Sequence, residues 1–428
     1  MAAACRLISR VGRLRRLITV GLFLASYGGA RGLAFLGVLL LPRLLSADLY
    51  GGVELALSVA GLLGNAVGLG VPQATARLRL LLGHERVTDL LALAFLLSAT
   101  PLVLASMAAA VATPLWIVPL TLVFAAIYGA QYNLSFWARA EGQKFISTWV
   151  DNGTLVLIGI GAGLLTVLQI TPDMSASLYG LWAIALLLVM GGAITLHRFR
   201  IPGLWINWRK AMREGLPLLA TGLVLAAFVA APRLLAGRFL SLADVGALAL
   251  AARLCLLLLI VYQLLMTWNF RNFYIWPADR CDKVLSAILI GLAGLGCLVM
   301  LVWPLVAPVI APDFPDLSRL TVGLVAGQTV LWAALALFEN SLGRQGLGMK
   351  AAPTLLLVGL FAWGVIELVM LFVPVTSHRI ALAGIGLMAA GVTVQWGLLY
   401  RSGMCLPRSG AALASAALPA ILAVLIER

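Results

Sequence analysis

Long apolar runs separated by short polar segments divide the chain. They lie at about 17–41, 52–76, 89–112, 115–138, 148–170, 176–196, 215–240, 246–270, 284–303, 318–342, 351–373 and 380–400. A continuous run of about 20 apolar residues predicts a helix that crosses a bilayer. A transmembrane barrel strand would instead alternate apolar and polar positions, and these runs do not. The pattern therefore predicts an all-α polytopic membrane protein with twelve core helices. A weaker run over 410–426 is short and contains Pro419; it reads either as a thirteenth crossing or as a half-inserted tail.

Composition supports this reading. Of 428 residues, 62% are hydrophobic and 11% are charged, against about 45–50% and 25% in a soluble domain. That excess excludes an ordinary cytoplasmic enzyme. The N-terminal arginines (Arg6, Arg10, Arg13, Arg15, Arg16) precede an apolar run too long for a signal peptide, so the first helix is expected to stay uncleaved. Residues 1–16 are then a basic cytoplasmic N-terminus.

With the N-terminus inside, the polar segments facing the cytoplasm carry 22 Lys and Arg residues, and those on the other side carry five. Such an asymmetry sets orientation in multi-pass proteins, and here it alternates through twelve crossings. It also accounts for the net charge of +14 without nucleic acid as a partner. Trp116, Trp137, Trp149, Trp268 and Trp303 fall near span ends, where interfacial indoles belong. No outer loop is long enough for a soluble domain.

An internal repeat is visible. The first span exits through Ser46-Ala-Asp48-Leu-Tyr-Gly51, the seventh through Ser241-Leu-Ala-Asp244-Val-Gly246; the two aspartates are 196 residues apart. The turn after the fourth span, Arg139-Ala-Glu-Gly142-Gln-Lys144, is matched after the tenth by Arg344-Gln-Gly346-Leu-Gly348-Met-Lys350, with Gly142 and Gly346 204 apart. Two nearly equal offsets imply two parallel six-helix bundles, 17–196 and 215–400, pseudo-symmetric about a central cavity. The basic segment 197–214 joins them and contains Leu204–Lys210, which looks like an interfacial amphipathic helix. Residues 401–428 form a C-terminal tail.

Motifs for chemistry are scarce. Gly343–Lys350 lacks the Gly-Lys-Ser/Thr ending of a phosphate-binding loop. Three scattered histidines (His84, His197, His378) and five cysteines without a CxxC pair give no metal site and no disulfide framework. No cofactor is called for and no catalytic residue is assigned. Asp313-Phe-Pro-Asp316 reads as a polar turn. The Gly28/Gly32, Gly64/Gly68 and Gly159/Gly163 pairs allow close helix packing but identify no substrate.

The informative residues are charges inside the spans, each costly there and usually facing a cavity or partner. Arg31 lies in the first span, Arg233 in the seventh and Arg253 in the eighth. If the halves face each other, these guanidiniums converge, and their forked donors suit a phosphate. Glu54, Glu339 and Glu367 are available either as partners for them or for proton exchange. Glu367 and Glu54 are the candidates for ion coupling.

Residue Arg31, the exit Leu45-Ser46-Ala47-Asp48-Leu49-Tyr50-Gly51, the stretch Gly68-Leu-Gly70-Val-Pro72-Gln73-Ala-Thr-Ala-Arg77 and the two Arg/Gly/Lys turns together resemble the bacterial polysaccharide flippases. These are the O-antigen and exopolysaccharide exporters of the multidrug/oligosaccharidyl-lipid/polysaccharide superfamily. The resemblance covers residues 10–400. It implies a V-shaped pair of bundles in the cytoplasmic membrane and alternating-access passage of a polyprenyl-pyrophosphate-linked oligosaccharide, with Arg31, Arg233 and Arg253 meeting the pyrophosphate. It further implies coupling to H+ or Na+ and neighbouring glycan-assembly proteins. Two alternatives stand beside it. A cation-coupled multidrug or small-solute antiporter of the same superfamily would need cavity carboxylates and aromatic contacts. A membrane-embedded glycan polymerase or glycosyltransferase would need a long outer loop.

Overall fold

The computed structural model describes residues 21–35, 39–72, 87–140, 143–168, 174–197, 204–310, 317–345 and 347–427. Every regular element among them is helical. They are α1 (Gly21–Leu44, described on either side of 36–38), α2 (Ala47–Val67), α3 (Val87–Ala112), α4 (Ile117–Ala140), α5 (Lys144–Asp151), α6 (Gly153–Leu168), α7 (Met174–His197), α8 (Leu204–Phe239) and α9 (Leu242–Ile275). Then follow α10 (Ala278–Ile310), α11 (Arg319–Arg344), α12 (Gly348–Phe372), α13 (Ser377–Arg401), α14 (Pro407–Ala412), a 3-10 turn (Leu413–Ala417) and α15 (Leu418–Glu427). Among the described residues, eleven helices are long and apolar enough to cross a membrane, or twelve if the bent pair α5–α6 is one span. Within α7, Ser177–Gly191 forms a shorter apolar helix. The protein is a multi-pass membrane protein. The basic residues 1–16, the stretch 73–77, Gly142, Gly346 and the Asp313/Asp316 turn lie outside the described residues.

Both repeated serine–aspartate exits restart a helix. Ser46 Oγ accepts from the Leu49 N–H at 3.4 Å at the head of α2. At the head of α9, Ser241 Oγ accepts from the Asp244 N–H at 3.2 Å and donates to Asp244 Oδ2 at 2.6 Å. Each satisfies a donor that a helix start leaves open, and the aspartate adds negative charge near the positive helix end.

Two elements differ from the sequence expectation. The fifth apolar run is bent by 65° between Asp151 and Gly153. Asn152 stands between the two helices, its backbone N–H turned to the Val150 carbonyl and its side-chain amide donating to the Thr148 carbonyl, 2.8 Å away. In the other, Leu204–Lys210 is not a separate interfacial helix but the first turns of the 36-residue α8, continuous with the span that follows. The C-terminal run forms α14, the 3-10 turn and α15, with Pro407–Ile426 long enough to cross.

The core is divided among several clusters. One joins α8 to α14 around Phe338, Leu285 and Leu289. Another joins α1, α2 and α4 to α8, α9 and α11 around Tyr50, Leu250 and Leu235. Helices α2 and α9 touch backbone to backbone at their N-terminal ends. A Cβ on Gly51 would collide with the Leu242 carbonyl oxygen, and one on Gly246 would stand 3.1 Å from that of Ala47. Helix α12 instead turns Phe361 and Phe372 outward, 74% and 81% exposed, as suits a lipid-facing helix.

Candidate functional site

Beyond the α2–α9 crossing, α2 and α9 line a cavity of about 510 Å³. Its wall is built by α2, α4, α8, α9 and α11. Helix α2 offers one face, Ser58, Gly61 and Leu62, because residues three and four apart share a side. Helix α4 contributes Tyr128 and Tyr132, whose rings stack with centroids 6.3 Å apart. Helix α8 lines it from Gly222 to Arg233, α9 adds Arg253, and α11 adds Trp332 and Glu339.

Charge is concentrated at the end nearest the crossing. Arg253 Nε donates to Glu54 Oε1 and its Nη2 to Glu54 Oε2, both at 3.0 Å. Glu54 is fully buried and Arg253 nearly so. This fork-on-carboxylate geometry is the strongest form of ion pair, and it ties α2 to α9. Arg233 Nη1 donates to Ser58 Oγ at 3.2 Å, and Ser58 passes its own proton to the Glu54 carbonyl at 2.8 Å. Two guanidiniums therefore face one carboxylate, leaving a net positive charge at the head of the cavity. That surplus suits an anion with several oxygens.

The sequence-derived candidates separate here. Arg233 and Arg253 come together on one cavity. Arg31 does not line it: its guanidinium lies 5.7 Å from the centre of the Tyr27 ring, and its buried Nε has no hydrogen-bond partner among the described residues. Tyr27 in turn donates to Gln263 of α9 at 3.4 Å. Glu54 is held by Arg253. Glu367 is near the end of α12, 3.4 Å from Arg238 Nε, and accepts from Trp363 Nε1 at 3.0 Å. Ser58, Tyr128, Tyr132 and Trp332 enter the cavity wall although the sequence did not single them out for binding; their face-sharing spacing with Glu54 on α2 was the only signal for Ser58. Glu339 is on the same wall with no ion-pair partner among the described residues.

Several other intramembrane polar groups are satisfied by helix contacts, although both polar atoms of the buried Gln395 find no hydrogen bond among the described residues. Gln131 donates to the Asp151 carbonyl at 2.5 Å and accepts from Thr154, while Ser135 donates to the Asp151 carboxylate. Together they brace the α5–α6 bend against α4. Of the glycine pairs, Gly64 is packed hard, a Cβ there standing 2.7 Å from that of Tyr128, whereas Gly28 and Gly32 have open space around them. A second cavity of about 260 Å³ between α1, α2, α4, α6 and α7 is apolar except for Thr154 and Ser177. Among the described residues, no cluster of His, Cys, Asp and Glu could hold a metal ion.

No curated protein and no solved structure matches the chain. The family model of the polysaccharide biosynthesis proteins matches residues 19–268. This is more than half of the chain, and it takes in the two exits, α2, both cavity arginines and Glu54. The family and the many membrane helices fit a transporter rather than an enzyme. The chain belongs to the polysaccharide biosynthesis protein family.

Proposed function

We propose that the protein flips a polyprenyl-pyrophosphate-linked oligosaccharide across the cytoplasmic membrane for polysaccharide assembly. The observation that carries this reading is the pair Arg233 and Arg253, drawn from α8 and α9, on a cavity walled on the opposite side by α2 and α4. Arg233 has one protein hydrogen bond, so its remaining donors are available to a diphosphate. The tyrosines and Trp332 offer flat faces for sugar rings. The polyprenyl tail stays in lipid, where a chain without polar groups needs no protein site. Because the basic segments favour a cytoplasmic N-terminus, the α2–α9 crossing faces outward and the cavity is loaded from inside. Rocking of the two halves then exposes the head group on the other side.

A deletion strain tests this. Complete lipid-linked repeat units should accumulate on the cytoplasmic face while surface polysaccharide is lost. The intact gene should restore export, and Arg233→Gln at equal expression should lower it at least tenfold. Normal surface glycan with no trapped intermediate would put the antiporter reading first. Accumulation with full rescue by Arg233→Gln would keep the flippase and remove its cation site.

A further inference from the structure

The two carboxylates that the sequence offered for ion coupling are both engaged. Glu54 is clasped by Arg253, and Glu367 by Arg238 and Trp363. Glu339 is different. It sits on α11, five residues before the end of that helix, and lines the cavity among Gly222, Leu225, Trp332, Leu335 and Ala336. Among the described residues no hydrogen bond or ion pair reaches it, and its neighbours on the wall from its own helix, Trp332, Leu335 and Ala336, are apolar. An unpaired charge in such a place is costly. Either a cation or a proton relieves that cost. A hard metal cation wants about six oxygen ligands, and among the described residues Glu339 belongs to no group of three or more His, Cys, Asp or Glu. A proton needs one oxygen.

We propose that Glu339 is a proton-exchange site of the transport cavity, its carboxylate binding and releasing one proton as the cavity is occupied and emptied. The step is a reversible O–H bond, with water in the cavity as donor and acceptor. The placement gives it direction. Helix α8 carries the cavity from Arg233 to Gly222, about 16 Å at the rise of a helix, and Glu339 lies on the same wall as the Gly222 end. An anionic head group at Arg233 disfavours a second negative charge in the same low-dielectric space, so an occupied cavity holds Glu339 protonated. The charged and titratable groups that share the cavity wall with it are Tyr128 and Tyr132 of α4, Arg233 of α8 and Arg253 of α9. Glu54 of α2 is clasped by Arg253, Tyr262 of α9 and Cys281 of α10 belong to the core beside α11, and Asp279, Arg280, Asp282 and Lys283 stand in the first turns of α10. Arg344, on α11 itself, donates to Cys281 at 3.4 Å, and α13 carries its titratable groups at its two ends. None of these bonds Glu339.

The coupling rests on the transport reading; the proton site does not, and the experiment separates them. Infrared difference titration of the purified full-length protein needs no cargo. Wild type should show a protonated-carboxyl band that fades as pH rises. The band should vanish in Glu339→Gln, shift in Glu339→Asp, and persist in Glu54→Gln and Glu367→Gln. A band unchanged in Glu339→Gln, or none in wild type, overturns the site whatever is transported. In the complemented deletion strain, export should vary with external pH in wild type and in Glu339→Asp. It should become pH-independent, or be lost, in Glu339→Gln. An identical pH profile in Glu339→Gln overturns the coupling even where lipid-linked glycan is the cargo.

Discussion

The Glu54–Arg253 pair shows what a charge inside a membrane helix requires. A lone carboxylate and a lone guanidinium would each be unaffordable in this core, and each is made tolerable by the other's two-point contact at 3.0 Å. Breaking one side of a buried pair costs about 3–5 kcal/mol, because the remaining charge stays buried, whereas replacing both sides by apolar groups is often neutral. Glu54→Gln should therefore lower the thermal unfolding midpoint in detergent, by an amount corresponding to about 3 kcal/mol. Glu54→Leu combined with Arg253→Met, which removes both charges and leaves no buried amide, should be less destabilised than Glu54→Gln alone. Additive effects of the two changes would mean that the pair carries no coupling energy. Sequence reading found both residues because charges in apolar runs are conspicuous. It could not find their pairing, since 199 positions separate them and Glu339 and Glu367 were equally available to Arg253.

At the scale of the element, periodicity and caps were readable and close approach was not. The repeated Ser and Asp exits announced the starts of α2 and α9, because a helix start needs an acceptor there whatever packs around it. The 65° bend at Asn152 falls on Asp151-Asn152-Gly153, a turn signal that a reading by apolar runs alone passes over. Glycine pairs were uninformative. Gly28 and Gly32 have the spacing of a packing motif but meet nothing within 4 Å. Gly51, in no such motif, stands against the Leu242 carbonyl of another helix. These two sites predict opposite outcomes for the same substitution. Gly51→Ala should overpack the α2–α9 crossing and cost about 1–3 kcal/mol. Gly28→Ala has room, and should be neutral or stabilising by about 0.5–1 kcal/mol through helix propensity. Unfolding midpoints of the two variants in the same detergent decide; equal effects would show that the crossing is not close-packed in solution.

Across the whole molecule, the distribution of charge and the shape of the cavity make separate statements that must agree. The proposed orientation rests on 22 basic residues on one set of segments against five on the other, and in that orientation the Ser46 and Ser241 ends of α2 and α9 lie outside. The glycine crossing packs α2 against α9 at those same ends, and the cavity lies beyond it, lined from Arg233 to Gly222 and Glu339. An opening on the cytoplasmic side is where a lipid-linked glycan made inside the cell would enter. Membrane-impermeant thiol labelling in a cysteine-free background tests the agreement. A cysteine at Ser46 should react from the outside of intact cells, and one at Ser402, beyond the end of α13, only after the membrane is opened. A cysteine at Gly222, in the cavity wall, should behave like Ser402 in the state described here. It should gain outside reactivity, by tenfold or more, when Gly51→Leu wedges the crossing apart. Labelling of Ser46 and Ser402 from the reverse sides would invert the orientation, and with it the direction of loading. Correct sidedness with Gly222 unreactive from the cytoplasm would leave the orientation standing and remove the inward-open cavity.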